Sequence, residues 1–109
     1  MSLRFSLALI SAALAGAALA QQTPAGSADA AKNKVAMCIG CHGIPGYRTA
    51  YPDVYHVPKL AGQQAAYIVN ALKAYKSGAR SHPSMRGIAA SLSDQDMADF
   101  AAYYGGGGK

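Results

Sequence analysis

The chain has 109 residues, with 10 Lys+Arg, 5 Asp+Glu, 3 His, 2 Cys, no Trp and a formal net charge of +5. That length allows one domain, and the composition disfavours a large enzyme, a multidomain protein or an integral membrane protein. The 51% hydrophobic content overstates the core, because 15 of the first 20 residues belong to that class.

Residues 1–20 carry one cation, Arg4, then an apolar run from Phe5 to Leu19 that ends in Ala18-Leu19-Ala20. Small residues flanking such a run, with polar Gln21 and Gln22 after it, predict a secretory signal peptide cleaved after Ala20. The rival is an uncleaved membrane anchor, but a span needs about 20 apolar residues and this run is shorter. Export then predicts a periplasmic protein with no transmembrane segment after cleavage. The remaining domain is poor in large apolar side chains, with Phe100 as its sole Phe. A core this lean needs a staple: a disulfide, a metal or a bulky cofactor.

Residues 21–27 read as a flexible leader. Residues 28–40 are Ala-rich without Pro and predict a short helix, started by Ser27 or Asp29. Residues 43–58 hold three prolines, two glycines and three tyrosines, and no period of 2 or 3.6. They predict a long loop, of the length that usually serves function. Over 63–77, Ile68, Leu72 and Tyr75 recur at helical spacing beside Ala65 and Val69, with Lys73 and Lys76 turned away and Gly78 at the C-terminal cap. Residues 79–92 form a second loop, with a helical turn at 88–91. Ser93 and Asp96 then resemble a capping box. Met97, Phe100, Ala101 and Tyr104 form the apolar stripe of a last helix. Residues 105–109 read as a flexible tail. The predicted class is all-α: three main helices and two long loops.

The chemistry sits at Cys38-Ile39-Gly40-Cys41-His42. C-x-x-C-H is the attachment signature of c-type haem. Two thiols three positions apart each add to one vinyl group, and the adjacent imidazole binds iron axially. Three other readings compete. A plain disulfide suits an oxidising compartment. A dithiol redox pair belongs in a βαβ setting, and no strand pattern is visible. A closed zinc site needs four ligands, and no second C-x-x-C exists. For a sixth ligand the candidates are Met37, Met85, Met97, His56 and His82. Met37 adjoins Cys38 and reaches the opposite face poorly. Met97 belongs to the helix stripe. Met85 lies in the second loop, far enough along the chain to approach from the other side, and is preferred. His82 and His56 remain rivals.

With these residues in view, the chain resembles class I c-type cytochromes, specifically the small single-haem periplasmic cytochromes of bacteria. The likeness runs over residues 28–104. It rests on the Cys38–His42 string, on Pro58-Lys59-Leu60-Ala61-Gly62-Gln63 opening a helix, on Met85 after Gly78-Ala79-Arg80, and on Leu92-Ser93-Asp94-Gln95-Asp96. The resemblance implies a cytochrome c-like fold, with terminal helices crossing beside one covalently bound haem c. It implies His42 and Met85 as iron ligands, the Pro58 carbonyl as acceptor for the second ring nitrogen of His42, and Leu60 packed on the haem. Pro58 as a simple turn residue is the competing account. Lys34 stands where many relatives carry an aromatic, so Ala30, Ala31 or Val35 must pack the helix crossing. Tyr47, Tyr51 and Tyr55 either cover a haem edge, bond a propionate or lie plainly on the surface.

The expected function is single-electron transfer rather than enzymatic turnover. Both axial sites are filled, so no substrate reaches iron. The expected partners are redox proteins: periplasmic dehydrogenases, terminal oxidases or other respiratory complexes. No nucleic acid is among them. The protein acts as a monomer or as a subunit of a redox complex. Lys32, Lys34, Lys59, Lys73, Lys76, Arg80 and Arg86 are candidates to steer acidic partners. The alternatives are a haem enzyme or gas sensor with an open or labile sixth site, and a haem-free dithiol oxidoreductase.

Overall fold

The computed structural model describes residues 23–51 and 53–108. The predicted signal peptide lies outside the described residues. Five helices follow in order: α1 (Ala28–Lys32), α2 (Ala36–His42), α3 (Ala65–Ser77), α4 (Pro83–Ala90) and α5 (Asp94–Gly105). The all-α prediction holds, and the only extended pairing among the described residues is an isolated bridge between Arg48 and His56.

The predicted 28–40 helix is divided. Ser27 caps α1, its hydroxyl accepting from the Ala30 N–H at 3.2 Å. The chain then tightens through Asn33-Lys34-Val35, where the Lys34 and Val35 amides both bond the Ala31 carbonyl at 2.7 and 3.0 Å. Asn is a weak helix former that favours such turns. The second departure is α4, where a mere turn was expected. Pro83 occupies its first turn, a position where the missing N–H costs nothing and the fixed φ fits the helix.

α3 ends as expected at Gly78, in the left-handed region with φ of 83°. α5 opens with the capping box: the Ser93 hydroxyl accepts from the Asp96 amide at 3.1 Å and the Asp96 carboxylate accepts from the Ser93 amide at 3.0 Å. α5 packs along both α1 and α3, and α4 packs on α3. The core gathers Val35, Ile68, Leu72, Leu92, Met97 and Phe100. Met97 is fully buried there, as the helix stripe required. The α1 crossing is lined by small residues: Ala31 and Val35 are buried against α5. Lys34 adds an ion pair to Asp96 at 2.6 Å and a longer one to the buried Asp99 at 3.6 Å.

The described parts of the two segments read as flexible, 23–27 and 105–108, carry hydrogen bonds to the rest of the chain. The Ser27 amide donates to Asp99 at 2.9 Å and Gln95 Nε2 donates to the Ala25 carbonyl at 2.8 Å, so residues 25–27 lie along α5. At the other end Gly105 closes α5, and the amides of Gly106 to Gly108 fold back on the carbonyls of Ala102, Tyr104 and Tyr103.

Candidate functional site

The short helix α2 presents Cys38, Cys41 and His42 within one turn. All three line one cavity of about 680 Å³, together with Pro58, Leu60 and Met85. That volume is in the range of sites that enclose a small molecule or cofactor. Its deep wall is apolar, built from Ile68, Leu72, Ile88, Leu92 and Phe100. α3, α4 and α5 each contribute to that wall, so the faces they do not pack against one another enclose this space.

Both cysteines are free thiols, Cys38 half-buried and Cys41 exposed. Burial pushes the Cys38 thiol up from its ordinary value, and the Tyr104 hydroxyl beside it opposes that shift. A dithiol redox catalyst needs the reverse, a thiolate favoured by its surroundings. Among the described residues no cluster of three His, Cys, Asp or Glu side chains is placed to hold a metal ion.

His42 Nδ1 lies 2.7 Å from the carbonyl oxygen of Pro58. A carbonyl can only accept, so Nδ1 carries the proton and donates. In the neutral ring this tautomer leaves the Nε2 lone pair free, the atom that can bind a metal. Leu60 is half-buried against the core and lines the cavity, as does Met85. Of the rival ligands, Met97 is core, while Met37, His56 and His82 also reach the cavity wall.

Tyr55 and Arg80 were candidates for the haem edge, but their contacts with His82, Tyr67 and Tyr75 on the same cavity were not foreseen. Tyr55 stacks on His82 with ring centroids 4.1 Å apart, and Tyr75 meets His82 edge-on at 6.3 Å. The Arg80 guanidinium lies 4.9 Å over the Tyr75 ring and donates to the Tyr67 hydroxyl at 3.2 Å. Among the three loop tyrosines the structure separates the roles. Tyr55 packs inward, Tyr47 is half-buried and Tyr51 is 89% exposed. The one available signal was spacing: Tyr67 and Tyr75 sit about two turns apart on α3. Tyr104 is buried at 4% exposure, and its hydroxyl has no hydrogen-bond partner among the described N and O atoms. Burial, then the neighbouring Cys38, pushes its pKa up to about 12.

The expected cationic ring needs correction. Lys32 pairs with Asp29 at 2.7 Å and Lys34 with Asp96, so both belong to the α1–α5 side. Lys76, expected to face away, donates through Nζ to the Leu92 carbonyl. Lys59 and Arg80 do line the cavity.

The donor set fits a covalently attached haem. Two thiols, an imidazole held by its far nitrogen and a thioether border one apolar space, and no further protein group is needed.

Comparison with known proteins bears on this set. The family model described as cytochrome c matches residues 14–104. The chain is 42% identical over 83 residues to cytochrome c-554(548) of Halomonas halodenitrificans, covering 73% of this chain and 95% of that one. It is 44% identical over 80 residues to cytochrome c4 of Pseudomonas aeruginosa, covering 73% of this chain but 38% of the relative. The crystal structure of reduced recombinant cytochrome c4 from Pseudomonas stutzeri superposes with a TM-score of 0.59 at 39% identity, over 74% of this chain and 45% of that one. The chain thus spans less than half the length of these cytochrome c4 relatives. Family membership implies a covalently bound c-type haem. Motif, cavity and likeness agree, and the chain belongs to the cytochrome c family.

Proposed function

We propose that the protein is a periplasmic single-electron carrier with one haem c, linked through Cys38 and Cys41 and ligated by His42 and Met85. The observation that carries this reading is the convergence of those four side chains on one apolar cavity, with His42 oriented by the Pro58 carbonyl. The bound group supplies a one-electron iron couple. The chain's residues do the rest. Cys38 and Cys41 retain the group covalently outside the cytoplasm. The Pro58 carbonyl fixes the tautomer of His42 and makes its Nε2 a better donor. Met85 would hold the iron through its thioether sulfur, which would leave no site for substrate and raise the potential relative to a nitrogen ligand. The apolar wall disfavours additional positive charge, acting in the same direction.

Export by residues 1–20 and cleavage after Ala20 belong to the same reading, with 28–104 as the cytochrome c domain. No helix among the described residues is long and apolar enough to cross a membrane. The partners on this reading are redox proteins of the periplasm, dehydrogenases on the donor side and oxidases or respiratory complexes on the acceptor side.

The test is optical. Protein expressed with haem-maturation machinery is expected to be red, and its colour to survive acid–organic extraction. The ferric form is expected to show the long-wavelength thioether-to-iron band, which Met85→Ala abolishes. Ready binding of carbon monoxide by the ferrous protein at neutral pH would overturn the carrier reading in favour of a sensor or enzyme.

A further inference from the structure

Met85 reaches the cavity from the third position of α4, so whatever fixes the start of α4 fixes Met85. That start is held by an uncommon cap. Ser, Thr, Asp and Asn dominate N-cap positions because a short side-chain oxygen reaches the open amides. Here the cap is His82, in extended backbone with φ of −166°, and the amide that its ring accepts from is that of Met85, with Nδ1 at 3.3 Å. The His82 carbonyl takes the next amide, that of Arg86, at 2.8 Å.

An imidazole does something no short cap can. Its ring lies against Tyr55 of the loop, 4.1 Å between centroids, and edge-on to Tyr75 of α3 at 6.3 Å. One side chain therefore joins the 43–58 loop, α3 and the first turn of α4. Pro83 at the first helical position stiffens the same turn.

We propose that His82 is a positioning residue for the Met85 thioether. It acts through the Met85 amide, with its ring anchored between Tyr55 and Tyr75. The proposal rests on Met85 as an iron ligand and adds what holds it there. Loss of the cap lets the first turn of α4 fray and raises the fraction of molecules in which the thioether is detached.

The test uses the haem-loaded, full-length protein, with added imidazole as a competitor for the ferric iron. Its apparent affinity scales with the detached fraction. His82→Ala is expected to tighten imidazole binding by roughly 2- to 30-fold, the worth of an N-cap expressed as a ratio. The thioether band is expected to weaken in parallel. His82→Asn restores a cap acceptor and is expected to return binding to within about 3-fold of the parent, since Asn is among the best caps. His82→Phe keeps a ring between the tyrosines without the acceptor and is expected to resemble His82→Ala.

The two layers fail separately. If Met85→Ala leaves the band intact, the ligand assignment falls and this inference with it. If Met85→Ala abolishes the band while His82→Ala binds imidazole like the parent, the ligand stands and the positioning role is overturned. If His82→Asn is as loose as His82→Ala, the cap is not the cause, and the proposal is likewise overturned. A parent protein without the band, in which His82→Ala and His82→Asn both open the iron, would make His82 the ligand and overturn both.

Discussion

Asp96 holds three partners at the start of α5, and its removal makes a quantitative test of how α1 is docked. Its carboxylate accepts from the Ser93 amide at 3.0 Å, the Ser93 hydroxyl at 2.8 Å and Lys34 Nζ at 2.6 Å. Loss of one capping group costs about 1 kcal/mol. The ion pair, with 42% of the Lys34 and 24% of the Asp96 side chain exposed, adds about 0.2–1 kcal/mol. Asp96→Ala is therefore expected to destabilise the folded protein by ~1–2 kcal/mol. The acid response gives an independent check. Lys34 first, then the Ser93 amide and hydroxyl, pull the Asp96 pKa from 3.8 to about 2. In full insulation such a shift corresponds to ~2.4 kcal/mol. Solvent screening of the exposed lysine brings it into the range already derived. The folded-state value is depressed, so the stabilisation is complete above about pH 4 and is lost as pH falls through about 2. Urea unfolding of the haem-loaded protein, followed by far-UV circular dichroism, is expected to separate parent and Asp96→Ala near pH 7. The gap is expected to narrow from about pH 4 and to close only below about pH 2. A gap below about 0.3 kcal/mol at neutral pH, or one that does not change with acid, refutes the reasoning.

Gly26 passes so close to α5 that a Cβ there would lie 1.9 Å from the Ala98 carbonyl oxygen. Gly26→Ala is expected to lift residues 25–27 off the helix, strip Asp99 of the Ser27 amide and cost ~1–3 kcal/mol. Accelerated cleavage by a protease within residues 23–27 reports the same event. A Cβ at Gly78 would meet only the Arg86 guanidinium, at an ordinary 3.9 Å, but φ is 83°, so Gly78→Ala is expected to cost ~1–2 kcal/mol from backbone strain. Thermal unfolding measures it, and Gly78→Asn is expected to recover part of the loss. Phe100 fills the deep wall at 2% exposure. Phe100→Ala is expected to cost ~3–5 kcal/mol in urea unfolding.

Much of the architecture was legible because local signals and burial agreed. Ile68, Leu72 and Tyr75 share one face of α3, Gly78 ends it, and Ser93 with Asp96 opens α5 as their spacing required. The Cys38–His42 string was legible in the residues, the Pro58 carbonyl only through the family resemblance, and the His42–Pro58 hydrogen bond is present. What escaped was non-local. α4 escaped because histidine is seldom a cap, so His82-Pro83 read as loop. The docking of residues 25–27 escaped because it depends on Asp99 and Gln95, some 70 positions away. The pairing of Lys34 with Asp96 escaped for the same reason, since no periodicity joins α1 to α5. The aromatic ring around His82 needs three segments folded together, and spacing on α3 alone does not bring Tyr55 or His82 to Tyr75.

Charge is distributed unevenly over this frame, with a consequence for encounter. The segments around the cavity, 43–92, carry Arg48, Lys59, Lys73, Lys76, Arg80 and Arg86 against Asp53 alone. The α1–α2 and α5 segments carry Lys32 and Lys34 against Asp29, Asp94, Asp96 and Asp99. Lys32 and Lys34 are moreover neutralised by short ion pairs. Lys59 and Arg80 are the cations that line the cavity, so a small redox anion is expected to be steered toward it, and its reaction measures this without knowledge of the natural partner. Oxidation of the ferrous protein by hexacyanoferrate(III) is expected to slow with added salt, steeply until the screening length falls below about 8 Å. Lys59→Gln, on the cavity wall, is expected to slow that reaction severalfold at low ionic strength. Lys32→Gln, whose charge Asp29 already offsets, is expected to change it little. A hexaammineruthenium oxidant, being cationic, is expected to show the opposite response to Lys59→Gln. Equal effects of the two substitutions on the anion would mean that net charge alone governs encounter and that the asymmetry steers nothing.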